Sequence, residues 1–349
     1  MPHFHTLAIK EIVKETDTAV SILFNIPEDL KKFYAFTAGQ YVTVRTTIDG
    51  EVLKRAYSIC SSEKSGELKI AVKAIVNGKF SNYACKHLSA SDTVEVAPPE
   101  GHFILNTNSN QLKNYLAFVA GSGITPVLSM VKTVLENEPK STFTLIYGNK
   151  TSESTIFKSE LDALANKFIA RFNIKYAFTQ EKNTGTISGR IDKKATRYIV
   201  REKFNHLNFD EVFICGPEEM INVVSNTLTE DGFLKKNINY ELFVSSSDTK
   251  DVSSADGISE ITVLVDDEET TFTMDQKDTI LAATLRHNID APYSCQGGVC
   301  SSCMGKVTEG HAIMSSNSIL TDSEIEEGLV LTCQAHPTTA KIAIDFDDI

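Results

Sequence analysis

Four cysteines near the C-terminus have the type and spacing for redox chemistry. They run Cys295-x4-Cys300-x2-Cys303, and Cys333 follows after 29 intervening residues. Iron–sulfur clusters take four soft thiolates, and this uneven spacing is a 2Fe–2S arrangement. A loop carrying three ligands must bend tightly, which Gly297 and Gly298 permit. The small Ser301 and Ser302 leave backbone amides open towards sulfide. Zinc also accepts four thiolates, but structural zinc sites pair two short Cys-x2-4-Cys knuckles, and here the fourth Cys stands alone. Disulfides belong to oxidising compartments, and residues 1–10 carry no apolar core of signal-peptide length.

A second group of residues is suited to phosphates. The apolar strand Tyr115–Ala120 runs into Gly121-Ser122-Gly123-Ile124-Thr125-Pro126 and then a helical stretch, Val127–Glu136. Strand, glycine turn and helix are the context in which a glycine loop reads as a dinucleotide site. The glycines let backbone approach a pyrophosphate, and the helix start favours its charge. The third glycine of the usual fingerprint is missing. Cys215-Gly216-Pro217 closes another apolar strand, at the edge where parallel sheets bind ligands. A buried Cys is ordinarily a small hydrophobe, so its position carries the functional reading. Earlier, Arg55-Ala56-Tyr57-Ser58 sets a cation, a flat ring and a hydroxyl on one strand, and Gly78-Lys79-Phe80-Ser81 opens a short helix. Each tetrapeptide alone also fits an ordinary strand or turn.

The elements that must hold these groups form a series. Short strands at Leu7–Val13, Ala19–Phe24, Tyr41–Ile48, Leu68–Ala74 and Thr93–Ala97 alternate apolar and polar residues. With the turn signals Asp49-Gly50 and Asn77-Gly78, they predict an antiparallel β-barrel or sandwich of about a hundred residues, over 1–107, with a helix at Ser81–His87. Strands at Phe143–Tyr147, Phe172–Phe178 and Glu211–Cys215 alternate with helices at Phe157–Asn166, Lys193–Glu202 and Glu218–Glu230. They predict a Rossmann-like α/β domain over 108–244. Residues 245–257 are rich in Ser and Asp and read as a linker. A hairpin, Ile261–Val265 and Thr270–Thr273, turns at Asp266–Glu269 and opens a domain over 258–349. In it, a helix at Thr279–His287 precedes the cysteine loop.

The net charge of −12 is concentrated in that last domain. From Lys250 onward there are 5 basic and 18 acidic residues, a net of −13, which leaves +1 for all that precedes. The excess suits solubility and equally an acidic face for a basic redox partner. Its sign disfavours nucleic acid. No apolar run approaches the ~20 residues of a membrane span, so a cytoplasmic protein is expected.

Taken in order, the motifs resemble known families. Ala291-Pro292-Tyr293-Ser294-Cys295 and Leu331-Thr332-Cys333-Gln334-Ala335 resemble plant-type ferredoxins, which implies a β-grasp (α+β) fold. Arg55-x-Tyr57-Ser58, Val72-Lys73, Gly78-x-x-Ser81, Pro99-Glu100-Gly101-His102-Phe103, the glycine turn, Cys215-Gly216-Pro217 and Glu241-Leu242-Phe243 resemble the ferredoxin–NADP reductase family. That resemblance implies an FAD-binding barrel followed by an NAD(P) domain. It implies Arg55 on the FAD pyrophosphate, Tyr57 against the isoalloxazine, Ser58 near its N5, and Lys73, Lys79 and Ser81 along the FAD phosphates. Cys215 and Glu241 would flank the nicotinamide, and Phe243 would cover the other flavin face.

A nicotinamide gives two electrons together, a 2Fe–2S centre takes one at a time, and a flavin can stand between them. The order resembles the reductases of bacterial oxygenases, the phenylacetyl-CoA epoxygenase system among them. The expected partner is therefore a terminal oxygenase. Alternatives are another acceptor, such as a Rieske-type dioxygenase or hybrid-cluster protein, or a zinc-stabilised adaptor without redox activity. For the nucleotide, Tyr147-Gly148-Asn149-Lys150-Thr151 has no acid until Glu153, and Lys150 and Arg190 supply positive charge. Thr179-Gln180-Glu181 has Gln where the family often has Arg. A ribose 2′-hydroxyl calls for an acid and a 2′-phosphate for cations, so NADPH is expected over NADH.

Overall fold

The computed structural model describes residues 4–243, 257–293, 296–298, 300–317 and 319–349. The Ser/Asp-rich stretch up to 256 and Cys295 lie outside the described residues. Two compact units result, and the larger holds the barrel and the parallel sheet.

The barrel strands are β1 (His5–Thr16), β2 (Ala19–Asn25), β3 (Tyr41–Ile48), β4 (Glu51–Ser58), β5 (Leu68–Lys73) and β6 (Thr93–Val96). They lie in the order β4-β3-β6-β1-β2-β5. A bridge between Ile59 and Ile70 joins the two edges, and Cys60 N–H donates to Lys69 O at 2.8 Å. Closure removes the exposed edge that an open sheet would leave. Inward residues such as Val42, Val44, Ile70 and Val72 are 1% exposed or less and fill the interior. The short helix α1 (Lys79–Lys86) seats Phe80 and Ala84 in that core.

Next come β7 (Asn114–Ala120), α2 (Ile124–Asn137), β8 (Thr142–Asn149), α3 (Lys158–Lys167), β9 (Phe172–Phe178), β10 (Ile187–Ser188), α4 (Lys193–Arg197), β11 (Glu211–Gly216), α5 (Glu218–Glu230) and β12 (Ile238–Leu242). All six strands are parallel, in the order β10-β9-β8-β7-β11-β12. Strand order reverses between β7 and β11, so a crevice opens at their carboxyl ends. The helix expected over Lys193–Glu202 instead ends at Arg197 and continues as a wider π turn, Tyr198–Lys203. Arg197 and Arg201 converge there on the Asp231 carboxylate, at 3.2 and 2.7 Å.

Helix α2 is buried along most of its length and binds the barrel through its polar residues. Ser129 Oγ donates to Ser61 O at 2.7 Å, Lys132 Nζ to Cys60 O at 3.1 Å, and Glu63 N–H to Thr133 Oγ1 at 3.3 Å. These bonds fix the barrel against the nucleotide-side sheet. Among the described residues some buried polar atoms are left over, including one in the parallel sheet. Thr144, fully buried on β8, has a hydroxyl with no hydrogen-bond partner among the described residues. Leaving a buried donor unmet costs about 1–3 kcal/mol. Thr144→Val is therefore expected to stabilise the protein by about 1 kcal/mol, read as a raised melting temperature. An unchanged or lower value would show that the hydroxyl is satisfied in solution.

The second unit holds β13 (Ile258–Val265), β14 (Glu268–Asp275), α6 (Ile280–Arg286), β15 (Met304–Glu309), β16 (Ala312–Met314), α7 (Asp322–Glu326), β17 (Leu329–Leu331), β18 (Ala335–Pro337) and β19 (Lys341–Asp345). Its main sheet is β14-β13-β19-β15-β17, and β16 pairs with β18. Strands β13 and β19 run parallel, while the other pairs are antiparallel, with α6 packed on the core: the expected α+β pattern. The hairpin turn is tighter than Asp266–Glu269. Asp266 and Asp267 alone make it, at φ +51° and +61°, and the Asp347 carboxylate accepts from both their amides at 2.9 and 2.8 Å. Among the described residues, no helix is long and apolar enough to cross a membrane.

Candidate functional site

The crevice at the β7/β11 switch point brings together the glycine turn, the end of β11 and Lys73. After β7 the chain tightens into a helical turn, Gly121–Gly123, and enters α2. Gly121 sits at φ +57°, which favours glycine. Its carbonyl accepts from the hydroxyl of Tyr147, a fully buried side chain on β8, at 2.9 Å. Gly123 is needed for a different reason. A Cβ there would press into the Cys215 carbonyl, lying 2.7 Å from the carbonyl carbon and 3.1 Å from Sγ. The turn therefore rests directly on the end of β11. Thr125 is 3% exposed, and its hydroxyl donates to Ser122 O at 3.1 Å. Thr125 and the buried Pro126 shape the turn from inside, while Gly121 and Ser122 are partly open.

Cys215 is fully buried, and its thiol is held well above the usual range, first by burial and then by the Glu241 charge. It therefore stays a neutral thiol at ordinary pH. Strand β12 runs parallel to β11, with Cys215 opposite Glu241 and Gly216 opposite Leu242. Pro217 caps α5, and Phe243 follows β12, 36% exposed.

The barrel contributes β4, whose Arg55 and Tyr57 are partly exposed and whose Ser58 is buried. Arg55 Nη1 donates to Lys54 O at 2.7 Å, and the Tyr57 ring packs on Phe80 at 5.4 Å. Ahead of α1, Ile75 N–H donates to Ser81 Oγ at 3.3 Å. A Cβ on Gly78 would strike that hydroxyl and come within 2.5 Å of Ile75 Cγ1. A larger residue at this helix start would require both the Ser81 and Ile75 side chains to move. Lys79 pairs with Glu51. Lys73, at the end of β5, reaches the glycine turn: a Cβ on Gly121 would lie 3.7 Å from its Nζ. Its pKa is lowered by burial first and by the Lys150 charge second.

Just after β8, Lys150 is exposed, and its carbonyl accepts from Gln180 N–H at 2.9 Å. One acid stands beside it, and another lies on α5. The Glu181 carboxylate accepts from Ser152 N–H at 3.0 Å, and Glu219 pairs with Arg190 at 2.7 Å. The expectation of no acid before Glu153 holds along the chain but not in space, because β9 returns Glu181 beside the Lys150 loop.

In the second unit, Cys300, Cys303 and Cys333 are 4%, 1% and 5% exposed. Thr332 Oγ1 donates to Cys303 O at 2.8 Å, and Gln334 Nε2 donates to Gln296 O at 3.1 Å, so loop and strand are cross-tied. Gly298, at φ +71°, has no room for a Cβ: Ser316 O would lie at 2.8 Å. Two buried thiols in a tight loop and a third just after β17 are the donor chemistry that a sulfur-ligated cluster needs. Sequence reasoning did not pick out Tyr147 or Gln334 as site residues. A Tyr ending one strand and a Gln beside a Cys carry no local pattern that marks them.

Comparison with known proteins gives the same order of domains. Residues 6–104 match an oxidoreductase FAD-binding domain, 118–226 an oxidoreductase NAD-binding domain, and 263–338 a 2Fe-2S iron-sulfur cluster binding domain. The chain is 39% identical to one of the subunits of 1,2-phenylacetyl-CoA epoxidase from Escherichia coli (strain K12), over 99% of each chain. It is 33% identical to the ferredoxin reductase component of 3-ketosteroid-9-alpha-monooxygenase from Rhodococcus rhodochrous, covering 97% of this chain and 96% of that one. In fold it is similar to phthalate dioxygenase reductase, with a TM-score of 0.65 over 98% of both chains at 23% identity.

Proposed function

The chain belongs to the ferredoxin–NADP reductase-type oxidoreductases that carry a C-terminal 2Fe–2S domain, and from this premise we propose that it supplies electrons to a phenylacetyl-CoA epoxygenase. The carrying observation for electron entry is Lys73 of the barrel beside Gly121 of the parallel sheet. It brings the strand ends suited to a flavin and the turn suited to a nucleotide to one crevice. When bound, FAD would take an electron pair from a pyridine nucleotide, and the 2Fe–2S centre would pass electrons on singly.

The chain's own residues bind and orient these groups. Arg55, Gly78, Lys79 and Ser81 would hold the FAD phosphates, with Tyr57, Ser58 and Phe243 lining the flavin. Gly121, Ser122, Gly123 and Gly216 leave room for the dinucleotide backbone, and Lys73 adds charge at the turn. Cys215 offers the nicotinamide an uncharged surface, with Glu241 across the strand pair. Pro217, Thr125 and Pro126 keep the two loops in shape. Cys295, Cys300, Cys303 and Cys333 would ligate the cluster, a use of thiols that suits the reducing cytoplasm. Domain limits of 1–107, 108–244 and 258–349, with a linker at 245–257, accompany this reading.

For the acceptor, the test is turnover of phenylacetyl-CoA by candidate oxygenases, each reconstituted with this protein. Turnover with the epoxygenase alone is expected. Turnover only with a Rieske-type dioxygenase, or electron delivery only to a hybrid-cluster protein, would overturn the proposal. For the nucleotide, we propose NADPH over NADH, because Lys150 follows the end of β8 with no acid before Glu153 and Arg190 adds a second cation. The nearby Glu181, and Glu219 paired with Arg190, keep the margin small. Lys150→Ala is expected to lower the NADPH/NADH ratio of kcat/KM by about tenfold, the loss of one charge-assisted contact. A wild-type preference for NADH, or a ratio untouched by Lys150→Ala, would count against it.

A further inference from the structure

Gln334 is 3% exposed, and its amide joins three stretches of the C-terminal domain. Nε2 donates to Gln296 O at 3.1 Å and to Cys333 O at 3.0 Å. Oε1 accepts from Ser315 Oγ at 2.8 Å, and the Gln334 carbonyl accepts from Ser315 N–H at 2.8 Å. The cysteine loop lies directly on this side chain, since a Cβ on Gly298 would come within 3.0 Å of Gln334 Cγ.

We propose that Gln334 is a positioning residue for the 2Fe–2S centre, setting the peptide planes around it through Nε2. A peptide unit is planar, so a bond that fixes the Gln296 carbonyl also fixes the direction of the Gly297 N–H. The Cys333 carbonyl is fixed by the same nitrogen, and the Gln334 N–H in its plane donates to Leu331 O at 2.8 Å. Amides near a cluster tune its potential and hold its ligands in place. A hydrocarbon of the same length would leave the Gln296 carbonyl to turn and the Cys333 carbonyl without that donor. The Gly297 N–H would then lose its set direction, the reduced cluster would be less well stabilised, and the potential would fall. The inference rests on the reading that the four cysteines ligate a 2Fe–2S cluster.

The test uses the full-length holoprotein and compares wild type with Gln334→Met, Gln334→Glu and Ser315→Ala. The readouts are the midpoint potential, followed by EPR during a redox titration, and the rate of iron release to a ferrous chelator. Gln334→Met removes the donor without adding charge. It is expected to move the potential to a more negative value and to speed iron release about tenfold. Gln334→Glu keeps the shape but loses Nε2, so it is expected to speed iron release similarly, and it decides the matter if the Met variant does not fold. Ser315→Ala loosens the same side chain but leaves both Nε2 bonds, so it is expected to stay near wild type. Unchanged release in Gln334→Glu or an unchanged potential in a folded Gln334→Met would overturn the proposal. So would an equal change in Ser315→Ala, which would mark Gln334 as ordinary packing. A wild-type protein without iron and sulfide would instead refute the cluster reading beneath it.

Discussion

Cys300→Ser is expected to yield a protein that lacks the proposed 2Fe–2S centre but keeps its flavin. A thiolate at Cys300 is a soft donor, and the side chain is buried, 4% exposed. A serine hydroxyl is a harder donor with a far higher pKa, so it is a poor substitute for iron bound in sulfide. The flavin-side barrel has its own core, built around residues such as Val42, Ile70 and Val96, while the cysteine domain packs around Ile261, Val263 and Ile344. Damage to one core therefore leaves the other intact. Iron and acid-labile sulfide should drop to a small fraction of wild type, with the FAD absorbance per chain unchanged. Nucleotide-driven reduction of a flavin-level acceptor should persist, while reduction of a cluster-dependent acceptor should vanish. Full iron content in the variant would remove Cys300 from the ligand set.

Gly123→Ala should cost about 10²-fold in kcat/KM for flavin reduction, through displacement of the nucleotide turn. The added methyl has nowhere to go. Its neighbours are the Cys215 carbonyl, with the carbonyl carbon at 2.7 Å, and that strand is hydrogen-bonded on both sides, to β7 and to β12. Backbone in the middle of a sheet yields less readily than the end of a flexible side chain, so the turn itself must move. Overpacking of this kind typically costs about 1–3 kcal/mol in stability, and a shift of about an ångström suffices for the kinetic loss. Ser122→Ala, one position earlier and partly open, serves as the mild comparison. Stopped-flow reduction of the flavin together with thermal melting reads both effects. A Gly123→Ala protein with wild-type rates would show that the turn does not seat the nucleotide.

These two sites were visible in the chain for opposite reasons. The cysteine spacing is a local signal: three ligands fall within nine residues, so type and interval alone mark them. The glycine turn is also local, since strand, Gly-x-Gly and helix follow one another without interruption. The reason for Gly123 is not local, because the atoms that exclude a side chain belong to Cys215, 92 positions away.

Strand alternation and glycine turns were enough to predict an all-β domain followed by an α/β domain, since each depends on contacts between near neighbours in sequence, while the fold of the last domain was legible only through the resemblance of its cysteine motifs to ferredoxins. The end points moved only slightly: Glu218–Glu230 and Phe172–Phe178 stand as expected, while Lys193–Glu202 gave way to a π turn beside Asp231. What only the tertiary structure decided are the pairings between distant segments. Strand register sets Glu241 opposite Cys215. Closure of the barrel on α2 carries Lys73 to Gly121, and the return of β9 sets Glu181 on the amide of Ser152, 29 positions away. Gln334 reaches Gln296 across 38 positions. Such contacts leave no periodic trace, because each is made by one side chain when a whole layer packs, and the energy that selects it belongs to that layer rather than to the residue.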